Sequence, residues 1–282
     1  MKILACIDTS RHADDVLDHA AWLAQQMSLP VEVLHALEKP TSVSSTDLSG
    51  MIGVASRETL MNRLTELDEQ RNRLAQEGGW HLLAGAVEFL RERGVTDISQ
   101  RLVHGSLADH IRDYDRTARV IVVGKKGESN GRQDDHLGIN LERIIRASTR
   151  PVLVTTGPRK PVERFIIAFD GGPTTGKAID MLARDPLYAD AEAHLLMVGD
   201  ETSRRQEQVS DAAERLHASG HTVVEQILPG QPEEVIPAYL ERVDAGLLIM
   251  GAYGHSRIRE WVVGSTTTAL LRKSTVPLLI LR

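Results

Sequence analysis

The sequence predicts an α/β protein of two tandem, open, doubly wound domains, each a mostly parallel five-stranded sheet flanked by helices. Three observations carry that prediction. The chain repeats itself, its apolar runs are short and continuous, and the segments between those runs have helical periodicity. Continuous apolar runs suit parallel strands buried on both faces. Strands alternating with helices imply an open wound sheet, in which ligands bind beyond the carboxyl ends of the strands, at the switch point.

The elements follow in order. The first strand, KILACIDTS (2–10), matches RFIIAFDGG (164–172) and puts Asp8 on Asp170. The segment HADDVLDHAAWLAQQM has Val16, Ala20, Leu23 and Met27 at i, i+4, i+7 and i+11, the spacing of a helix with one buried face. The second strand, VEVLHAL (31–37), falls on AHLLMVG (193–199) at the same offset of 162 residues. LVHGSLADHI (102–111) then matches ILPGQPEEVI (227–236), with Gly105 on Gly230. VIVVGKKG (120–127) matches LLIMGAYG (247–254), with Gly124 on Gly251, and STRPVLV (148–154) matches STVPLLI (274–280). The offset has by now fallen to about 126, so the first half carries about 36 extra residues between its second and third strands. The expected domains are 1–157 and 158–282, joined near TTGPRKP (155–161), a Pro- and Gly-bearing stretch suited to a linker.

The extra segment begins with TSVSSTDLSGMIG, which reads as a mobile loop. It continues as RETLMNRLTELDEQRNRLAQ, with Leu60, Leu64, Leu67 and Leu74 near helical spacing. The plain reading is a lengthened amphipathic helix covering the sheet. The sharper one is a lid or a partner-binding arm.

Composition narrows the function classes. The 282 residues are 41 % apolar and 26 % charged, with a net charge of −6, so a packed core is feasible and nucleic-acid binding through a basic surface is not expected. The single cysteine, Cys6, excludes an internal disulfide or a multi-cysteine metal site, and its apolar run ILACI suits a buried core thiol. His104 and His110 do not make a metal set. No apolar stretch approaches the length of a membrane span, and the N-terminus has no signal-peptide pattern, so a soluble cytoplasmic protein is expected.

Two stretches bear on phosphate. FDGGPTTGKAID (169–180) places Gly171, Gly176 and Lys177 almost as in the phosphate loop of a nucleotide hydrolase, but Ala178 stands where Ser or Thr is needed. No Asp ends the later strand LLIM, and Lys177 is expected in the first turns of an exposed helix. The second stretch is GAYGHSRIREWVVGST (251–266). Gly251 ends a strand, Gly254 follows two residues later, and after nine more come Gly264, Ser265 and Thr266, opening a helical run. Glycines allow close approach of backbone to ligand, free N–H groups at a helix start attract phosphate, and the two hydroxyls add hydrogen bonds.

This spacing resembles the ATP-binding signature of the universal stress protein family: Gly, two residues, Gly, nine residues, Gly, then Ser or Thr. The resemblance extends over nearly the whole chain, in tandem. It implies that Asp170 contacts the nucleoside end, that Ala168 and Val198 line an adenine pocket flanked by Met250, that Gly251 and Gly254 lie along ribose and phosphate, and that Gly264, Ser265 and Thr266 hold the phosphates. The implied ligand is ATP, with ADP or AMP as variants and magnesium compatible with the nucleotide. Taken singly, Asp170 reads as only an N-cap and the glycines as only turn formers; together at this spacing they point to nucleotide contact. His255, Arg257 and Arg259 read as phosphate-screening or as solvated loop residues, and Trp261 as a packing anchor.

The first half departs from the pattern. Gly124 and Gly127 are kept, but Gly138 comes one residue late, Ile139 replaces the Ser, and Asn140 is left to cap the helix. Asp134 and Asp135 add negative charge opposed by Lys125 and Lys126, so weaker binding or none is expected there. The resulting reading is a nucleotide-responsive stress-response factor that is at most a slow ATPase. The competing reading is an interaction scaffold with a vestigial site and an unknown protein partner. Family members commonly dimerise along the last strand, so a tandem chain is expected to pair PVLVT with VPLLILR internally, as a pseudo-dimer, with a further homodimer left open.

Overall fold

A computed structural model of the chain describes residues 1–38, 54–127, 139–184, 187–252 and 264–282. The first half runs β1 (Lys2–Ile7), α1 (Ala13–Met27), β2 (Val31–Leu37), α2 (Val54–Glu92), β3 (Ile98–His104), α3 (Leu107–His110) with a 3-10 turn (Ile111–Tyr114), β4 (Ala118–Gly124), α4 (Ile139–Ala147) and β5 (Val152–Thr155). The second half repeats that order as β6 (Arg164–Ala168), α5 (Pro173–Arg184), β7 (Glu192–Val198), α6 (Ser203–Ala218), β8 (Thr222–Leu228), α7 (Pro232–Arg242), β9 (Leu247–Gly251), α8 (Ser265–Lys273) and β10 (Leu278–Leu281).

Each half is a five-stranded parallel sheet, and the two join edge to edge. The strand order is β3-β2-β1-β4-β5-β10-β9-β6-β7-β8. Within a half every pairing is parallel, as between β1 and β2 or between β6 and β9. The junction alone is antiparallel, with Leu153 of β5 opposite Leu279 of β10. The last strands therefore satisfy each other inside one chain.

Alternation along each strand divides the core into two layers. Ile3, Ala5 and Ile7 point to the layer of α1, α2, α5 and α6. Leu4 and Cys6 point to the layer of α3, α4, α7 and α8. The first layer is continuous across the junction, where Trp22 of α1 stacks on Tyr188 at 5.4 Å and Tyr188 on Phe165 at 5.6 Å. Lys125 Nζ adds a polar tie, donating to the carbonyls of Arg272 (2.7 Å) and Ser274 (2.8 Å).

Two sequence expectations need correction. The long helix does not cover the sheet along its length. Its packed face consists of Leu83, Ala86 and Leu90, whereas Leu64, Leu67 and Leu74 are exposed. The side chain of Leu60 and the Ser/Thr-rich stretch before the helix lie outside the described residues. In addition, α4 starts at Ile139, so Asn140 stands in its first turn instead of capping it.

Candidate functional site

In each half the strand order reverses between the first and fourth strands, and a cavity opens there at the carboxyl ends, as an open wound sheet dictates. The second-half cavity has a volume of about 860 Å³. Its lining includes Ala168, Asp170, Val198, Met250, Gly251, Gly264, Ser265 and Thr266. Three separate strand ends and one helix start are thus brought together. Gly254 lies outside the described residues, as do His255, Arg257, Arg259 and Trp261.

Local sequence explains how these groups are held. Asp170 follows β6, and its Oδ1 accepts from Gly172 N (2.8 Å) and Thr175 Oγ1 (2.6 Å). This ties down the turn into α5 and leaves Oδ2 without a hydrogen-bond partner among the described residues. Gly171 takes φ +71°, the left-handed region where glycine carries no steric penalty. Asp170 is therefore not the N-cap of α5, which starts at Pro173; it holds the turn before that helix through one oxygen.

The two described glycines of the motif serve different ends. A Cβ on Gly251 would stand 3.2 Å from Thr174 Cγ2, so the close approach of α5 to the end of β9 favours a glycine. Among the described residues, a Cβ on Gly264 would meet nothing nearer than Thr267 Oγ1 at 3.7 Å, so no described neighbour demands a glycine there and its bare backbone leaves this part of the cavity wall open. It is the N-cap of α8, with no side-chain capping bond. The first helical hydrogen bond runs from Thr268 N to Gly264 O at 3.0 Å, so the amides of Ser265, Thr266 and Thr267 have no partner within the helix. Thr267 is turned inward, donating from Oγ1 to Ala252 O at 3.0 Å.

Sequence reasoning missed the opposite wall. Thr202, Arg204, Arg205 and Gln208, at the start of α6, all line the cavity. Thr202 caps α6 by accepting from Arg205 N at 3.3 Å, and Arg205 Nη1 donates to Asp200 O at 2.6 Å. The Thr-x-x-Arg start of this helix was a readable capping signal, but only the fold brings it opposite α8. Lys177, by contrast, is exposed on α5 and outside the lining, so the resemblance to a hydrolase phosphate loop has no structural counterpart.

The first-half cavity, about 800 Å³, is built differently. Asp8, Ala36, Gly124 and Gly127 occupy the places of Asp170, Val198, Gly251 and Gly254 in the repeat. Leu141 and Ile144 replace Thr267 and Leu270, and residues of α2, among them Asn72 and Gln76, form one wall. His35 also lines it, with Nδ1 2.9 Å from Ile7 O. Burial, reinforced by the charge of Glu32, pushes the Cys6 thiol up, so this thiol stays protonated. Among the described residues no group of three or more His, Cys, Asp or Glu is placed to hold a metal ion, and no helix is long and apolar enough to cross a membrane.

Comparison with known proteins agrees with this construction. The sequence model of the universal stress protein family matches residues 1–156 and 199–282. The chain belongs to this family. Universal stress protein Slr1230 of Synechocystis sp. is 34 % identical over 286 residues, covering 100 % of this chain and 99 % of that protein. Stress response protein NhaX of Bacillus subtilis is 25 % identical over 171 residues, covering 57 % of this chain and 96 % of its own length. Among solved structures, a universal stress protein from Archaeoglobus fulgidus superposes with a TM-score of 0.68 at 18 % identity, covering 100 % of this chain and 96 % of that one. The unmatched interval, 157–198, carries β6 and Asp170; the internal repeat assigns it instead, by setting Asp170 on Asp8.

Proposed function

We propose that this universal stress protein binds ATP, or a related adenine nucleotide, in its second-half cavity, and acts as a nucleotide-responsive stress-response factor. The observation that carries the reading is convergence: eight residues chosen from separate strand ends and one glycine motif line a single cavity. The chemistry fits an anion chain at one end. Free amides at the start of α8, the Ser265 and Thr266 hydroxyls, and the cations Arg204 and Arg205 face the same space. The other end, with Ala168, Val198 and Met250, is suited to a flat heterocycle, and Asp170 Oδ2 to a sugar hydroxyl. A magnesium ion would be carried by the phosphates, since no carboxylate cluster awaits it among the described residues. The first-half cavity, with Leu141 in the place of Thr267, binds nucleotide more weakly or not at all.

The reading is tested by purifying the protein without added nucleotide, denaturing it, and identifying released small molecules by mass spectrometry. About one equivalent of adenine nucleotide per chain supports it. Absence of nucleotide, together with no uptake when ATP is added, overturns it.

A further inference from the structure

Six large apolar side chains are exposed among the described residues, and five of them lie on α2: Met61, Leu64, Leu67, Leu74 and Trp80. Leu64, Leu67 and Leu74 are 47 %, 58 % and 68 % exposed. Residues 61–78 are all exposed, a rod about 27 Å long at 1.5 Å per residue, touching the body only near its end, where Arg71, Asn72, Ala75 and Gln76 line the first-half cavity and Gln76 Nε2 lies 3.4 Å from His104 Nε2. Its apolar positions recur with Arg71 at 64, 67, 71 and 74, the alternating three–four spacing of a two-stranded coiled coil.

We propose that this arm pairs with the same arm of a second copy of the chain, antiparallel, about a two-fold axis passing beside Glu69 and Gln70. The charges select that arrangement. With the axis there, Leu64 of one copy faces Leu74 of the other and Leu67 faces the stem of Arg71, whose guanidinium lies beside Asp68, while Arg63 comes within a turn of Glu77. Every pair occurs twice. None of Arg63, Asp68, Arg71 and Glu77 is ion-paired within the described residues. A parallel, in-register pair would instead set Arg71 against Arg71 at a core position, where like charges repel most. The sheet offers no rival surface: β5 and β10 consume each other, and the open edges β3 and β8 carry Arg101 and Glu225, charges that discourage edge pairing. The contact is smaller than a standard interface, so the dimer is weak and concentration-dependent.

Sedimentation equilibrium from about 1 µM to about 1 mM protein, the range appropriate to small interfaces, tests this. The wild-type mass rises toward twice that of the chain. Leu74→Asp stays monomeric with a nearly unchanged melting temperature, because Leu74 is 68 % exposed in its own fold. Glu77→Arg weakens association, and the double variant Arg63→Glu/Glu77→Arg restores it. For orientation, Leu64→Cys mixed with Leu74→Cys crosslinks on oxidation, and neither does so alone; the native Cys6 is buried and silent. A wild-type monomer throughout, a dimer that survives Leu74→Asp, or self-crosslinking of Leu64→Cys overturns the proposal.

Discussion

Gly264 and Gly251 show how one residue type enters a site for opposite reasons. Gly264→Val adds atoms to cavity space with no close described neighbour, so it should abolish nucleotide binding while costing only about 1 kcal/mol of stability, the cost of a poorer N-cap on α8. Gly251→Val drives a side chain into Thr174 and should cost about 1–3 kcal/mol of stability, measurable by urea unfolding. A buried imidazole gives a third expectation. His19 lies in the α1 layer, with Nδ1 2.8 Å from Asp15 O. Its pKa is held below the ordinary 6.5, chiefly by burial and slightly by Arg159, against the opposing pull of Asp15 O, Asp18 and Asp15. The unfolded chain therefore binds the proton more readily. The stability due to neutral His19 is complete above pH 6.5 and declines as pH falls through the depressed folded-state value. Replacing His19 with Gln should flatten the acid side of a plot of melting temperature against pH; an unchanged slope would assign the effect elsewhere.

Among the elements, the central strands were the most legible, because a buried parallel strand writes itself as a continuous apolar run, whereas the edge strands β3 (ISQRLVH) and β8 (TVVEQIL) carry polar residues and were legible only in part. The helix α2 was legible in extent but not in packing. Leu74 and Leu83 are nine residues apart, which at about 100° per residue puts them on opposite sides. The leucines that signalled the helix are thus not the ones that dock it. The landing point is Gly79, where a Cβ would stand 2.8 Å from Leu102 and 3.2 Å from His35. A pair of elements also preserves a buried polar contact through the repeat with changed chemistry. Tyr114 Oη donates to Glu32 Oε1 at 2.8 Å in the first half, while Tyr239 Oη lies 2.8 Å from His194 Nδ1 in the second. Glu32, also paired with Lys2, is buried. Tyr114→Phe should cost about 1–2 kcal/mol by removing a donor from a buried acceptor, seen as a lower urea midpoint at unchanged slope.

At the scale of the whole molecule, the tandem arrangement and the glycine motif were readable because repeats and spacings are linear in sequence. The arginine wall of α6 was not, because it faces α8 only after two crossovers of the sheet. The junction was foreseen as internal pairing, and its physical weight lies in the continuous layer through Trp22, Tyr188 and Phe165. Halves that share one sheet and one core layer should unfold together, so calorimetry should record a single thermal transition; two resolved transitions would mean the halves are independent. The central claim is that the second-half cavity alone is the working nucleotide site. Its most direct measurement is a calorimetric titration of ATP into the wild-type protein and into Gly264→Val. The account predicts one site per chain in the wild type and none in the variant. Undiminished binding by a folded Gly264→Val protein would contradict it.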